Sequence, residues 1–358
     1  MKILVLQPRI SYYVGGGEIV PSYQMAELSK LGNEVMLITT KPSKPSEYLQ
    51  LLKKAGVKIT FSSVKSLDNV YHAGARIPFE SWNSESLMMQ LDSIETIKRS
   101  DPDVIVSHYS HDHIILDNKN IVLHLHGYPE HRIESAGIGL KRARAIVSVS
   151  SEVKTKWHSL FPEFSHKIKK VLHNGIATEL FKPIETKKIY DLIFVGRLIK
   201  IKGLDYLIKA IEGSNLKLAI VGEGPEKEKL YALSKRLKVK VNFLGYVKFR
   251  DLPLIYSRSK IGVFPSYSRE GVLTSMLEAM SCGLGIVTTD QGGMKEALKF
   301  GGGVIVESRS ASSLAKGINE VLSNYSDFGN SAREVVKEHF NIQENCSKLE
   351  KFYREAVH

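Results

Sequence analysis

Apolar residues along this chain gather in short, near-continuous runs, set apart by longer stretches with helical spacing. KILVLQ at 2–7 is the first run, and it predicts a strand buried in a sheet. A glycine loop follows, then EIVPSYQMAELSKLG, which predicts a helix. EVMLITT predicts the next strand, EYLQLLKKAG a helix, and VKITFSSV, DVIVSH, IVLHLHG and AIVSVS further strands. Strands alternating with helices in this way point to a parallel sheet covered on both faces.

Near residue 174 the pattern starts again. The stretch 172–190, LHNGIATELFKPIETKKIY, is polar and reads as a linker. Beyond it DLIFVG, LKLAIVGEG, KVNFLGYV, KIGVFPS and LGIVTTD predict strands, and GLDYLIKAIEG, PEKEKLYALSKRLK, RDLPLIYSRS and LTSMLEAMSCG predict helices. A chain of 358 residues exceeds what one small core organises. The fold class expected is α/β, with two doubly wound domains at 1–173 and 174–340. NCSKLEKFYREAVH predicts a closing helix. Ligands of such sheets bind beyond the carboxyl ends of the strands, so a cleft between facing domains is the expected site.

Composition narrows the function classes. A net charge of +12 draws the protein to polyanions such as nucleotides, nucleic acids or anionic headgroups, without choosing among them. Cys282 and Cys346 lie far apart and form no CxxC pair, which fits a reducing, cytoplasmic compartment and argues against a disulfide scaffold or a cysteine-based zinc site. No segment approaches the ~18 apolar residues of a membrane span. The start, MKILVLQPRI, has too short an apolar run for a signal peptide. No helix-turn-helix, zinc-finger or RNP-like aromatic pattern is found, so nucleic acid is not an expected partner.

Three stretches carry candidate chemistry. In PSYSREGVLTSMLEAMSCG, Glu270 stands in a loop and Glu278 eight positions on, among Met276, Leu277, Ala279 and Met280. Glutamates at such a spacing commonly solvate a surface, but a carboxylate in that apolar company needs hydroxyl or amide donors. In FVGRLIKIKG, Arg197 follows a strand and Lys202 stands where a helix begins, an arrangement suited to phosphate. In VGGGEIV, Gly15, Gly16 and Gly17 allow close approach of an anion to the backbone, or form a plain turn.

With these pieces in view the chain resembles the retaining nucleotide-sugar glycosyltransferases of the GT-B fold, specifically glycosyltransferase family 4 (glycosyl transferases group 1). The resemblance runs, in order, through VGGGEIV, GNEVMLITT, DPDVIVSH, LHLHGYP, SVSSEVK, LHNGIATELFKP, IFVGRLIKIKGLDYLIKAI, LAIVGEGPEKEKL, VNFLGYV, FPSYSREGVLTSMLEAMSCG and TTDQGGMKEAL. It implies two Rossmann-like domains facing a cleft: an acceptor-binding one at 1–173 and a nucleotide-sugar-binding one at 174–340. A C-terminal helix at about 341–358 would pack back on the first. It implies that Arg197 and Lys202 hold the donor diphosphate, Glu270 the donor sugar and Glu278 the ribose. Gly16 and Gly17 would lie against the diphosphate, and Gly271, Leu273, Thr274 and Ser275 would meet the phosphates. His126 would stand at the reaction centre, with Arg197, Lys202 and Glu270 as its catalytic companions.

The pattern departs from the family at Leu273, where proline or glycine is frequent, at Gly285, where proline is frequent, and at Arg269, where an uncharged or acidic residue is usual. The implied donor is a UDP- or GDP-type sugar, with no cofactor. The implied acceptor is a glycan or a lipid-linked hydroxyl. The rival reading is a sugar-nucleotide or polyanion binder without transferase activity.

Six of the twelve histidines fall between 108 and 131. A zinc site at His108, His111, His113 and His126 is conceivable, but cysteine is absent there and no metal is expected. His108 and Tyr128 are candidates for the acceptor side. His111, His113 and His131 are expected in polar loops, and His124 as a core histidine with a partner. KRAR at 141–144 and HKIKK at 166–170 read as a solvated basic surface or as a contact with an anionic bilayer.

Overall fold

A computed structural model describes residues 1–13, 15–72, 77–117, 120–129, 131–267 and 271–357, apart from the side chains of Tyr71, His72 and Phe79. The chain divides into two compact units, one of residues 1–175 with 342–358 and the other of residues 176–341. The sequence reading set the boundary at 173/174 and assigned a final helix from about 341 to the first unit.

The first unit holds a sheet of β1 (Lys2–Leu6), β2 (Glu34–Lys41), β3 (Lys58–Lys65), β4 (Val104–Ser107), β5 (Ile121–Leu125), β6 (Ala145–Ser148) and β7 (Ile168–Val171). Its order is β3-β2-β1-β4-β5-β6-β7, parallel throughout. The second unit holds β8 (Tyr190–Val195), β9 (Lys217–Val221), β10 (Lys240–Gly245), β11 (Ser259–Phe264), β12 (Gly285–Thr289) and β13 (Gly303–Val306). Their order is β10-β9-β8-β11-β12-β13, again parallel. The central strands are buried on both faces, which explains why they read as unbroken apolar runs. In each sheet the order reverses once, between β1 and β4 and between β8 and β11. Loops leaving those neighbouring strands diverge there and open a crevice at their carboxyl ends.

The helix Gly16–Lys30 is buried over most of its length and contains Pro21. Proline has no N–H for the carbonyl one turn earlier. The amide of Gln7 takes that place, donating to the Gly17 carbonyl at 3.1 Å. The helix Ile342–Val357 belongs to the first unit, where Cys346 and Tyr353 are buried. Tyr353 reaches His124 Nε2 at 2.8 Å.

The stretch 172–190 is not a solvated linker throughout. Ile176 and Phe181 are fully buried, and the Ile176 N–H donates to the Phe340 carbonyl at 2.7 Å. Two apolar side chains among many polar ones anchor the segment, and the average polarity hid them. HKIKK contributes the edge strand β7, whose outward lysines gave it a basic look.

Candidate functional site

In the second unit the crevice is assembled mainly by backbone. β8 ends at Val195, and Arg197 follows, exposed, with its neighbour Leu198 bonded through its backbone to Glu223 and Glu226. Lys202 closes a 3-10 turn, Lys200–Lys202, just before the short helix Leu204–Ala210, at the helix start where the sequence reading set it. Gly203 between them has φ +69°, and a Cβ there would lie 2.2 Å from the Pro265 carbonyl oxygen. Only glycine permits that approach. On the other side, Ser266 Oγ and the Tyr267 N–H both donate to the Ile201 carbonyl, at 3.1 and 3.0 Å. Lys202, buried to 7% exposure, is thereby fixed beside the loop that leaves β11.

That loop leads into the helix Thr274–Ser281. Glu270, with Ser268 and Arg269, lies outside the described residues. Gly271 and Thr274 are buried and Leu273 and Ser275 half-buried at the head of the helix. The N–H groups of its first turn have no carbonyl one turn back, so Thr274 and Ser275 present donors there. Leu273 has φ −66°, the value proline imposes, so the departure from the family keeps the proline-like backbone. Gly285 has a packing reason: a Cβ there would meet the Cβ of Phe328 at 2.6 Å.

Glu278 faces inward from this helix at 4% exposure. Tyr256 donates to its Oε2 at 3.1 Å and also bonds the Ser275 carbonyl at 3.1 Å. Burial pushes the Glu278 carboxyl up to about 7, against the opposing pull of the Tyr256 hydrogen bond. The hydroxyl donor that the sequence demanded for this glutamate is therefore supplied in part from within the protein.

In the first unit the crevice is filled by side chains. A 3-10 turn, Pro8–Ser11, leaves β1, and the helix begins at Gly16. A Cβ on Gly17 would lie 2.1 Å from the Tyr109 hydroxyl. Gly17 thus has a structural cause inside the protein, where the sequence reading considered only an anion or a turn. Tyr109 donates to Glu18 Oε1 at 3.0 Å.

Beneath them lies Arg9, fully buried between the rings of Trp82 and Tyr109, at 4.6 and 4.3 Å from their centroids. Its guanidinium stands 3.7 Å from Glu18 and 3.9 Å from Asp112. Burial alone would lower the Arg9 pKa, but Asp112, Tyr109, Glu18 and Glu85 together raise it, so the cation persists. Sequence reasoning missed this group. The available signals were a charge directly after the first apolar run and the glutamate that ends GGGE.

His108 and His126 meet at the ends of β4 and β5, with Nδ1 to Nε2 at 2.9 Å. His124, on β5, has the partner expected of a core histidine, Tyr353. Burial holds His126 down to about 4, and burial with the neighbouring rings holds His108 and His124 well below the usual histidine range, so all three are neutral at pH 7. His111 and His113 are buried, contrary to expectation. Their turn is held by other elements: Gln90 donates to the His111 carbonyl at 2.8 Å, and His113 Nε2 bonds the Gly139 carbonyl at 2.9 Å. His131 is exposed, as expected. Tyr128 is engaged, donating to Glu152 at 2.7 Å.

The basic stretches are partly consumed. Lys167 donates to the carbonyls of Leu140, Lys141 and Ala143, capping the helix Glu134–Arg142. Lys170 pairs with Glu355 at 2.7 Å. Lys141, Arg144 and Lys169 remain exposed. Among the described residues, no helix is long and apolar enough to cross a membrane.

Comparison with known proteins adds to this geometry. Residues 14–180 match the family described as Glycosyltransferase Family 4, and residues 176–339 the family described as Glycosyl transferases group 1. An uncharacterized glycosyltransferase of Methanocaldococcus jannaschii is 30% identical over 61% of this chain and 60% of its own length. The chain thus spans about 60% of the length of the first curated relatives it matches. The sucrose-phosphate synthase of Thermosynechococcus elongatus superposes with a TM-score of 0.81 at 18% identity, over 99% of this chain and 98% of that one. Anabaena HepE in complex with UDP superposes at 0.77, with 18% identity over 99% and 100%.

Proposed function

From a chain that belongs to the GT-B glycosyltransferases, we propose an enzyme that moves a hexose-type sugar from a nucleoside diphosphate to a hydroxyl of a glycan or a lipid-linked acceptor. The observation that carries this reading is the convergence in the second unit. There Lys202 is locked by Gly203 against the loop of β11, which leads to the first-turn N–H groups of helix Thr274–Ser281 and to the buried Glu278. As the sugar leaves with oxocarbenium character, charge grows on the phosphate. Arg197, Lys202 and the first-turn N–H groups would meet that charge without reorganising. This set of cations supports transfer without a divalent metal or other cofactor. The half of Glu278 not bonded to Tyr256 is suited to a ribose hydroxyl.

His126 is assigned the place beside the transferred sugar, with Glu270 on the sugar's hydroxyls and His108 on the acceptor side. The first unit's carboxylates at the strand ends, Glu18 and Asp112, are committed to Arg9 and Tyr109. That commitment supports retention by a front-face route over a covalent glycosyl-enzyme. The UDP bound by the Anabaena neighbour favours a uridine donor. The exposed Lys141, Arg144 and Lys169 suit a cytoplasmic enzyme that touches an anionic membrane face at its acceptor.

The test is nucleotide release from a panel of nucleotide sugars in EDTA, with lipid extract as acceptor source, comparing the parent with Glu270→Ala. Release from one donor, abolished in the variant, is the expected result. A parent that binds nucleotide in a thermal-shift assay yet releases none with any donor and acceptor is a binder, and the transferase reading falls.

A further inference from the structure

We propose that His108, His124 and His126 form a binding site for a divalent ion of borderline softness, zinc foremost. The three imidazoles come from neighbouring parallel strands. β4 and β5 pair Ser107 with Leu123, so the next step of the register sets His108 against His124. The side-chain alternation of a strand returns His126 to the same face two residues on. The result is a cluster whose candidate donor nitrogens all lie within 4.8 Å of one another, with His108 Nδ1 and His126 Nε2 2.9 Å apart. Nitrogens bound to one tetrahedral zinc at its usual bond length stand about 3.3 Å apart, inside that span. Small rotations of the rings therefore suffice.

Three further features favour an ion there. Metal ligation needs neutral imidazoles, and burial favours the neutral form of all three. The Tyr353 hydroxyl, 2.8 Å from His124 Nε2, fixes the orientation of that ring as an outer partner of a metal ligand does. His108 and His124 are buried while His126 is only half-buried, which gives an ion a side of entry. With three uncharged ligands, the fourth position would take a hydroxide or another small anion, which offsets the charge of the buried ion. This set is not the one the sequence suggested. His111 Nε2 lies 3.4 Å from Asp112 and His113 Nε2 bonds the Gly139 carbonyl, and His124, read as a core residue, takes their place.

On the transferase reading above, an ion here would occupy His126, so zinc should inhibit while EDTA should not. The binding test itself needs no turnover, so either reading can fail without the other. The full chain, stripped with EDTA, is titrated with cobalt(II) and then with zinc. The expected result is one cobalt per chain with the visible absorption of a tetrahedral site, displaced by zinc. His126→Ala and His124→Gln abolish it, and Tyr353→Phe weakens it about 10- to 100-fold. His131→Ala, at an exposed position, leaves it unchanged. Circular dichroism establishes that each variant is folded. A folded parent that shows no stoichiometric cobalt spectrum overturns the proposal. So does a spectrum that survives undiminished in His126→Ala and Tyr353→Phe.

Discussion

Beside β1 and β4 the first unit closes upon its own side chains, whereas beside β8 and β11 the second unit keeps a cation at its surface and another fixed by backbone. The six strands of the second sheet follow the order of the first six in the first, which adds β7 at its edge. The construction differs. In the first unit Gly17 makes room for a side-chain hydroxyl, and Arg9, Glu18, Tyr109 and Asp112 satisfy one another. In the second unit Gly203 makes room for a main-chain carbonyl, and main-chain bonds tie the loops after β8 and β9 together. A crevice built from backbone is held in shape by main-chain contacts. A crevice built from side chains spends them on stability.

The contrast can be broken most forcefully at Lys202. Its replacement by alanine should slow sugar transfer by roughly two to three decades, as loss of one preorganised donor does, with little change in melting temperature. Near-full turnover would mean that the backbone-built crevice is not where phosphate charge is met.

Next in size is a pH effect of opposite sign in the two regions. Glu278 holds its proton up to about 7 in the folded protein, above the ordinary 4.5, so its contribution to stability is present at low pH and lost as pH rises through that window. Glu278→Gln should therefore gain up to about 3 kcal/mol on the parent between pH 4 and pH 8, read from chemical melts by circular dichroism. His126, held down to about 4 against an ordinary 6.5, works the other way, and its contribution is lost as pH falls through 6.5 toward 4. Both tryptophans, Trp82 and Trp157, lie in the first unit, so their fluorescence should follow the acid-side loss alone.

Gly203→Ala should destabilise the second unit by about 1–3 kcal/mol from the left-handed backbone alone, and no second-site side-chain change should restore it. The smallest effect sharpens the comparison best. Gly17→Ala should also destabilise, but Tyr109→Phe removes the atom it strikes, and the pair should show a favourable coupling of about 1 kcal/mol in a double-mutant cycle. Strict additivity would erase the distinction between the two crevices.

The repeating strand–helix order was legible because strands buried on both faces carry no polar interruptions, as in Ile3–Leu6 and Ile121–Leu125. Lys202 and Glu278 were legible because each breaks a local rule, a cation beside glycine and a carboxylate among methionines. What stayed hidden depends on long-range pairing. Arg9 is only a charge after an apolar run until Trp82 and Asp112 arrive from more than seventy positions away. Lys167 looks like surface charge until the helix Glu134–Arg142 presents its carbonyls. The embedding of His113 likewise rests on Gly139, a partner no local window contains.

The helix Ile342–Val357 carries a consequence for biosynthesis. A ribosome completes the second unit once it has made residue 341, and all of that unit's strands are then in hand. The first unit, begun much earlier, still lacks the helix that brings Tyr353 to His124 and Cys346 to the helix Gly16–Lys30. The half synthesised first is thus the half that finishes last. During elongation its apolar face stays uncovered for as long as the second unit takes to emerge, an interval in which a chaperone has most to protect.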